Sequence, residues 1–199
     1  MVANCKLGNI FSHWDCRSGP IPLDELRGNL GRLSLDREDF PGHVIFSDRS
    51  YQRVIIRRGP SYEALILCWR SGQRSPIHDH SGSACVVYVI EGTATETIFE
   101  PSPCGRLVPT LSRTAPAGSI SACHDSDIHQ MANLEPSDCD LITLHVYSPP
   151  LAGMQLYSVG DTTLADHDDL IALRSPTIMA TECGRPHGEP LGSILALSD

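Results

Sequence analysis

The sequence lacks any long hydrophobic run, and this absence excludes a helical membrane protein. No stretch reaches the roughly 18 consecutive apolar residues that a membrane-spanning helix needs. The first residues, MVANCKLGNIFSHWDCRSG, also lack a basic segment followed by a long apolar core. We therefore predict no signal peptide, no association with a membrane and a cytoplasmic location.

Positive charge is also scarce. Lysine and arginine number 15 against 24 aspartates and glutamates, which gives a formal net charge of −9. A surface that binds nucleic acid needs a basic patch, so this balance argues against nucleic acid as a partner. The sequence has eight cysteines but no Cys-x-x-Cys pair, so a zinc ribbon is not expected. We predict that the cysteines are reduced.

What the sequence does contain is a series of short β-rich segments separated by turn residues. Its 199 residues suit one domain, with a partly helical segment over 1–50, a barrel core over 51–159 and an extension over 160–199. Leucines at 23, 26, 30 and 33 predict one short amphipathic helix. Short strands without helices between them indicate an all-β sandwich or barrel. The predicted strands are Arg53–Arg58, Ala64–Arg70, Cys85–Glu91, Thr93–Glu100, Ile120–Cys123, Leu141–Ser148 and Met154–Val159.

Two histidines separated by one residue, His78 and His80, are the strongest chemical signal. Side chains at alternate positions of a strand point to the same face, so this pair can bind one metal ion together. Two solvent-exposed histidines are the alternative interpretation of the pair taken alone.

The surroundings of this pair resemble the two sequence motifs of the cupins. The segment 72–92 matches the first motif, with Cys85 where a glutamate ligand is usual. His129 and Asn133 match the end of the second motif, which favours His129 over the nearby His124 as a third ligand. The resemblance implies an all-β, cupin-type β-barrel of the jelly-roll kind. Imidazole ligands suit zinc, copper, nickel or iron, so the ligand set alone leaves the metal open.

Over about half its length the sequence resembles the cysteine dioxygenase family of thiol dioxygenases. The resemblance implies one Fe(II) per chain, held by His78, His80 and His129. It also implies that the thiol of a small molecule, L-cysteine above all, is converted to the sulfinate with O2. The segments that carry it are Tyr51-Gln-Arg53, Leu65-Ile-Leu-Cys-Trp69, Ser75-Pro-Ile-His-Asp-His80, Cys85, Asp125-Ser-Asp-Ile-His129 and Leu144-His-Val-Tyr-Ser-Pro-Pro150.

The resemblance also assigns roles to residues around the metal. It implies a tyrosine near the iron, Tyr147, supported by His145 and by the hydroxyl of Thr143, where the mammalian enzymes carry serine. In those enzymes a cysteine at the position of Cys85 forms a thioether crosslink to the tyrosine. A Cys85–Tyr147 crosslink is therefore a hypothesis for this chain.

Arg53 matches the carboxylate-binding arginine of the family, and Tyr51 is predicted beside the substrate. The planar fork of a guanidinium suits a carboxylate. Relatives that prefer 3-mercaptopropionate carry glutamine there, so Arg53 favours cysteine, while 3-mercaptopropionate and mercaptosuccinate stay open. The plainer alternatives are a surface arginine and a packing tyrosine. The competing functions are a zinc or manganese cupin enzyme and a catalytically silent cupin that binds a small ligand. We predict a monomer.

Overall fold

The computed structural model describes residues 5–159 and 177–179. Two helices come first, α1 (Cys5–Asp15) and α2 (Leu23–Leu30), and a 3-10 turn follows at Arg37–Asp39. None of the helices in the described ranges is long and apolar enough to cross a membrane. The strands are β1 (Gln52–Arg58), β2 (Glu63–Trp69), β3 (Ile77–His78), β4 (Ala84–Glu91), β5 (Thr93–Pro101), β6 (Leu107–Pro116), β7 (Ile120–Cys123), β8 (Ile128–Ala132), β9 (Leu141–Ser148), β10 (Leu156–Tyr157) and β11 (Thr177–Met179).

The strands form two sheets that share one apolar interior. The larger sheet has the order β11-β1-β2-β9-β4-β7, and the smaller has the order β10-β3-β8-β5-β6. Every described pairing is antiparallel except that of β1 with β11. Side chains of β2, β4 and β9 pack with Ala94 and Met131 of the smaller sheet. The predicted all-β, cupin-type fold is therefore confirmed.

The central strands of the larger sheet, β2, β4 and β9, are buried on both faces. The alternation of side chains along each strand decides which of them reach the barrel interior. On β9, Leu144 and Val146 pack outward in the cluster that contains the helices, whereas Leu141 and Tyr147 pack inward. Successive side chains of a strand point to opposite faces, so His145 lies on the same inner face as Tyr147. The inner face of β9 thus brings the polar side chains of Thr143, His145 and Tyr147 into the barrel interior.

The two helices cover the outer face of the larger sheet. Helix α2 was predicted from its leucines, and its Leu26 and Leu30 are fully buried. Helix α1 was not predicted, although Leu7, Phe11 and Trp14 follow the i, i+4, i+7 spacing of an amphipathic helix. All three side chains are buried in the same cluster.

Strands β6, β8 and β11 are absent from the sequence prediction, and β3 was expected only as the strand that carries His78 and His80. Strand β6 contains Pro109 and Pro116 and exposes most of its side chains, so it shows no apolar alternation. It lies at the edge of the smaller sheet, where proline is tolerated. The prediction of a strand over Met154–Val159 was too long, because β10 contains only Leu156 and Tyr157. Most of the predicted extension over 160–199 lies outside the described residues.

A tight turn at Gly92 joins β4 to β5 and explains the glycine that closes the first motif. Its φ is +81°, a conformation that side chains with a Cβ rarely adopt. A Cβ at this position would lie 2.3 Å from the Asp140 carbonyl oxygen, so no other residue fits.

Candidate metal centre

Three histidines meet inside the barrel where β3 and β8 pair. His78 ends β3 and lies opposite His129 of β8. His80 lies beyond the strand, not on it as predicted, in a loop where its backbone N–H donates to the Asp125 carbonyl at 3.0 Å. All three side chains are buried, and one nitrogen of each ring lies within 4.8 Å of the others. His124, the alternative third ligand, is exposed.

Hydrogen bonds orient two of these rings for metal binding. Nδ1 of His78 lies 2.9 Å from the Pro76 carbonyl, and Nδ1 of His129 lies 2.9 Å from Oε1 of Glu96. Each Nδ1–H thus has an acceptor, which leaves the Nε2 lone pairs free. Nε2 of His129 and Nε2 of His80 lie 3.2 Å apart. Two nitrogens at right angles on one ion, with bonds of about 2.1 Å, would lie about 3 Å apart, so this group can hold a metal.

Burial keeps the imidazoles of His78 and His80 neutral. Removal from water, with a smaller contribution from the neighbouring rings, lowers the pKa of His78 to about 3 and that of His80 to about 2. Because the neutral ring is the form that binds metals, these two ligands need no deprotonation near pH 7.

Glu96 is a buried carboxylate beside the histidines that sequence reasoning missed. It is 2% exposed and accepts hydrogen bonds from His129, Arg113 and Ser121. Burial alone would raise the pKa of Glu96, but the hydrogen bonds outweigh it and hold this pKa well below its ordinary value. An anion therefore lies next to the histidine group. One glutamate in a strand gives no signal of this, because its partners come from three other strands.

A chain of hydrogen bonds along the interior leads to Tyr147. Nε1 of Trp69 donates to Oγ1 of Thr143 at 3.0 Å, and this hydroxyl lies 3.0 Å from Nε2 of His145. Nδ1 of His145 lies 3.3 Å from the Tyr147 hydroxyl. Burial lowers the pKa of His145 and raises that of Tyr147, so both groups are uncharged near pH 7. The Tyr147 ring packs against His80 with centroids 5.3 Å apart, which places the end of this hydrogen-bond chain beside the histidines.

Cys85 lies directly opposite Tyr147 in the pairing of β4 with β9. Both side chains are buried, and directly opposed residues have Cβ atoms about 4.5–5.5 Å apart. Burial raises the pKa of the Cys85 thiol. On its other side Cys85 pairs with Cys123 of β7. Cys85, Cys123 and the other cysteines with described side chains are free thiols.

Arg53 points into the same interior from β1. Its neighbours at alternate positions, Tyr51 and Ile55, pack into the interior cluster. Burial is the main cause of the lowered pKa of His145, and the positive charge of Arg53 is the second cause. The Arg53 Nε is buried without a hydrogen-bond partner among the described residues. Tyr51 stacks on Trp69 with centroids 4.2 Å apart and so forms a wall beside this guanidinium.

Asp79, the residue between the first two histidines, anchors the loop that contains His80. Its Oδ1 accepts from the backbone N–H groups of Ser81 and Gln155 at 3.1 Å each. Its Oδ2 accepts from the Tyr157 hydroxyl at 2.8 Å. The histidine loop is thus tied to β10, a role that sequence reasoning also missed.

A two-sheet barrel with three buried histidines facing one another defines a cupin-type protein with a candidate metal centre. The family model of cysteine dioxygenase type I matches residues 32–159, which is more than half of the chain. The chain therefore belongs to the cysteine dioxygenase type I family, as its sequence motifs indicate. This family implies a non-haem metal centre, and the His78, His80 and His129 group could bind it.

Curated relatives agree with the family. The chain is 25% identical over 134 residues to cysteine dioxygenase type 1 of Rattus norvegicus and to that of Homo sapiens. These matches cover 65% of this chain and 66% of each mammalian enzyme, just under two thirds of their length. Among solved structures, a protein from Klebsiella pneumoniae with a double-stranded β-helix domain matches with a TM-score of 0.49 and 20% identity. That match covers 57% of this chain and 84% of the other.

Proposed function

We propose that this protein is a non-haem Fe(II) thiol dioxygenase that converts a small carboxylated thiol, preferentially L-cysteine, to its sulfinate with O2. The observation that carries the proposal is an arginine with an unpartnered buried Nε beside a group of three buried imidazoles. His78, His80 and His129 would hold the iron. Fe(II), when bound, supplies the redox chemistry that places both atoms of O2 on sulfur, which provides all four electrons.

Arg53 would fix the substrate through its carboxylate. A buried Nε without a hydrogen-bond partner is costly by itself, so an anionic ligand that pairs with the Arg53 guanidinium gains affinity. Tyr51, two residues before Arg53 and on the same inner face, is held by its stacking on Trp69. Anchoring the carboxylate at Arg53 would direct the thiol toward the histidines and supply the proximity that the reaction needs.

The hydrogen-bond chain from Trp69 to Tyr147 would orient the Tyr147 hydroxyl. The indole N–H of Trp69 can only donate, so the Thr143 hydroxyl accepts it and can donate its own proton to Nε2 of His145. His145 then carries its proton on Nδ1 and donates to the Tyr147 oxygen. The Tyr147 O–H can then donate toward a substrate bound beside His80.

We also propose the Cys85–Tyr147 thioether, because the two residues are direct cross-strand neighbours. Its formation removes one hydrogen from the thiol and one from the ring, with O2 as the oxidant, so the protein should lose two hydrogens in mass. We expect this loss after aerobic turnover with iron and thiol, and expect it to withstand reduction by dithiothreitol.

The Cys123→Ser variant is the control for this prediction, because a Cys85–Cys123 disulfide would give the same mass loss. Tryptic mapping should show a linked peptide of Cys85 and Tyr147 in both wild type and Cys123→Ser, and none in Cys85→Ser. A linkage that dithiothreitol reverses, or an unmodified mass after many turnovers, would show that the thioether does not form.

The test of the proposed function is oxygen uptake by protein loaded anaerobically with Fe(II). Cysteine, 3-mercaptopropionate and mercaptosuccinate are compared, with sulfinate measured in parallel. We expect one O2 consumed per sulfinate formed and the highest kcat/KM with cysteine. Uptake without sulfinate, or no uptake by fully iron-loaded protein with any of the thiols, contradicts the proposal. A faster rate with another of the three thiols would retain the reaction and change the substrate.

A further inference from the structure

We propose that Glu96 is a positioning residue that supplies, through His129, negative charge to a metal centre whose own ligands are all neutral. The inference rests on the proposed metal-dependent function. In the cupin motif that the sequence resembles, a glutamate normally provides this charge directly, and Cys85 replaces it here. In the described part of the chain, Glu96 is the one carboxylate hydrogen-bonded to a ring of the histidine group.

The two oxygens of Glu96 have separate partners. Oε1 lies 2.9 Å from Nδ1 of His129, with the weakly donating thiol of Cys123 at 3.6 Å. Oε2 accepts from Ser121 at 2.7 Å and from two nitrogens of Arg113 at 2.9 and 2.7 Å. Because Arg113 and Ser121 occupy Oε2, the oxygen that faces His129 stays in place.

The position of Glu96 in the barrel explains how this contact is held. Glu96 of β5 pairs with Arg113 of β6 on one side and with Met131 of β8 on the other. Its diagonal neighbour on β8 is His129, which pairs with Ile98. Ser121 comes from the opposite sheet. Donors from both sheets therefore fix the carboxylate, and the carboxylate fixes the ring.

The other two rings have weaker supports. Nδ1 of His78 has a neutral carbonyl, that of Pro76, and Nδ1 of His80 has no hydrogen-bond partner in the described chain. A carboxylate acceptor holds the proton of His129 on Nδ1 and makes its Nε2 a stronger donor to a cation. Glu96 thereby places anionic charge near the metal without occupying a coordination position, which leaves that position for substrate.

The test measures Co(II) affinity of the apoprotein by chelator competition, with Fe(II) content after anaerobic loading as a second readout. Glu96→Gln keeps the size of the side chain and can still accept from His129, but it removes the charge. We expect its Co(II) affinity to fall by about 10-fold, and that of Glu96→Ala by about 100-fold. The matched control is Glu91→Gln, since Glu91 is also held by two nitrogens of an arginine, Arg37, but does not contact the histidines.

Arg113→Gln provides a second variant at a side chain that is 48% exposed, and it leaves the other donor to Oε2 of Glu96, Ser121, in place. It leaves Glu96 in contact with His129 and removes the opposing positive charge. We expect its Co(II) affinity to rise by up to about fivefold, the opposite of the Glu96→Gln effect. A fall in affinity for Arg113→Gln would contradict the electrostatic role even if Glu96→Gln fails to fold.

Parallel oxygen-uptake measurements separate this inference from the proposed function. A folded Glu96→Gln variant that binds Co(II) within twofold of wild type overturns the inference, whether or not wild type oxidises thiols. A wild-type protein that binds Co(II) tightly but oxidises no thiol overturns only the proposed function. The role of Glu96 is then still tested by the Co(II) affinities of the variants. A wild type that takes up neither Co(II) nor Fe(II) overturns both.

Discussion

Replacing His80 with alanine is expected to lower metal affinity by more than about 100-fold and to abolish thiol-dependent oxygen uptake. Loss of a residue that merely supports a metal ligand already costs about 10- to 100-fold, and His80 would be a ligand itself. Of the three histidines, His80 gives the cleanest test. Its Nδ1 has no hydrogen-bond partner among the described residues, and its Nε2 faces Nε2 of His129, so its removal takes no hydrogen-bond partner from a buried carboxylate. Removing His129 would instead leave Oε1 of the buried Glu96 without its imidazole partner.

The measurement is iron per chain after anaerobic loading and desalting, with oxygen uptake on the same samples. His124→Ala is the matched control, because His124 is exposed and lies five positions before His129. Unchanged iron and activity in His124→Ala, with loss of both in His80→Ala, is the expected pattern. If His80→Ala keeps stoichiometric iron, the three-histidine site is wrong.

The sequence predicts the barrel well because its central strands are long and buried. Predicted strands such as Ala64–Arg70 and Leu141–Ser148 agree within a few residues with β2 and β9, which are buried along their whole length. Strand β6 gave no such signal, because it is an edge strand whose side chains are mostly exposed to water and need not be apolar. Strand β3 contains two residues, and a pairing that short exists only through its partners β8 and β10.

The candidate site, like the fold, has parts that the sequence predicts and parts that it does not. His78, His80 and His129 are recognisable because metal ligands follow spacings that a sequence shows directly. Glu96 is not recognisable, since its importance depends on partners in β6, β7 and β8 that are distant in sequence. The supports of a site are three-dimensional even where its ligands form a linear motif.

The second large effect is expected from substitution of Arg53. Replacing it with glutamine should lower kcat/KM for cysteine by about 10- to 100-fold, mainly through KM. Hydrogen bonds to a charged group are worth about 1.5–3 kcal/mol, and each 1.4 kcal/mol corresponds to about tenfold. Glutamine can donate one hydrogen bond to a carboxylate but cannot match its charge or its two-oxygen geometry. Metal content should be unchanged, because Arg53 is not a ligand.

A thiol without a carboxylate separates substrate recognition from a general structural effect. With 2-aminoethanethiol, Arg53→Gln should differ from wild type by less than about twofold, since that substrate has nothing for the guanidinium to bind. Arg58→Gln is the control on the same strand, because the Arg58 side chain is 55% exposed. If Arg53→Gln lowers the rate equally with both substrates, Arg53 maintains the barrel interior and does not select the carboxylate. A loss confined to cysteine assigns the carboxylate to Arg53, and a gain in relative activity on 3-mercaptopropionate would identify Arg53 as the residue that favours the amino acid.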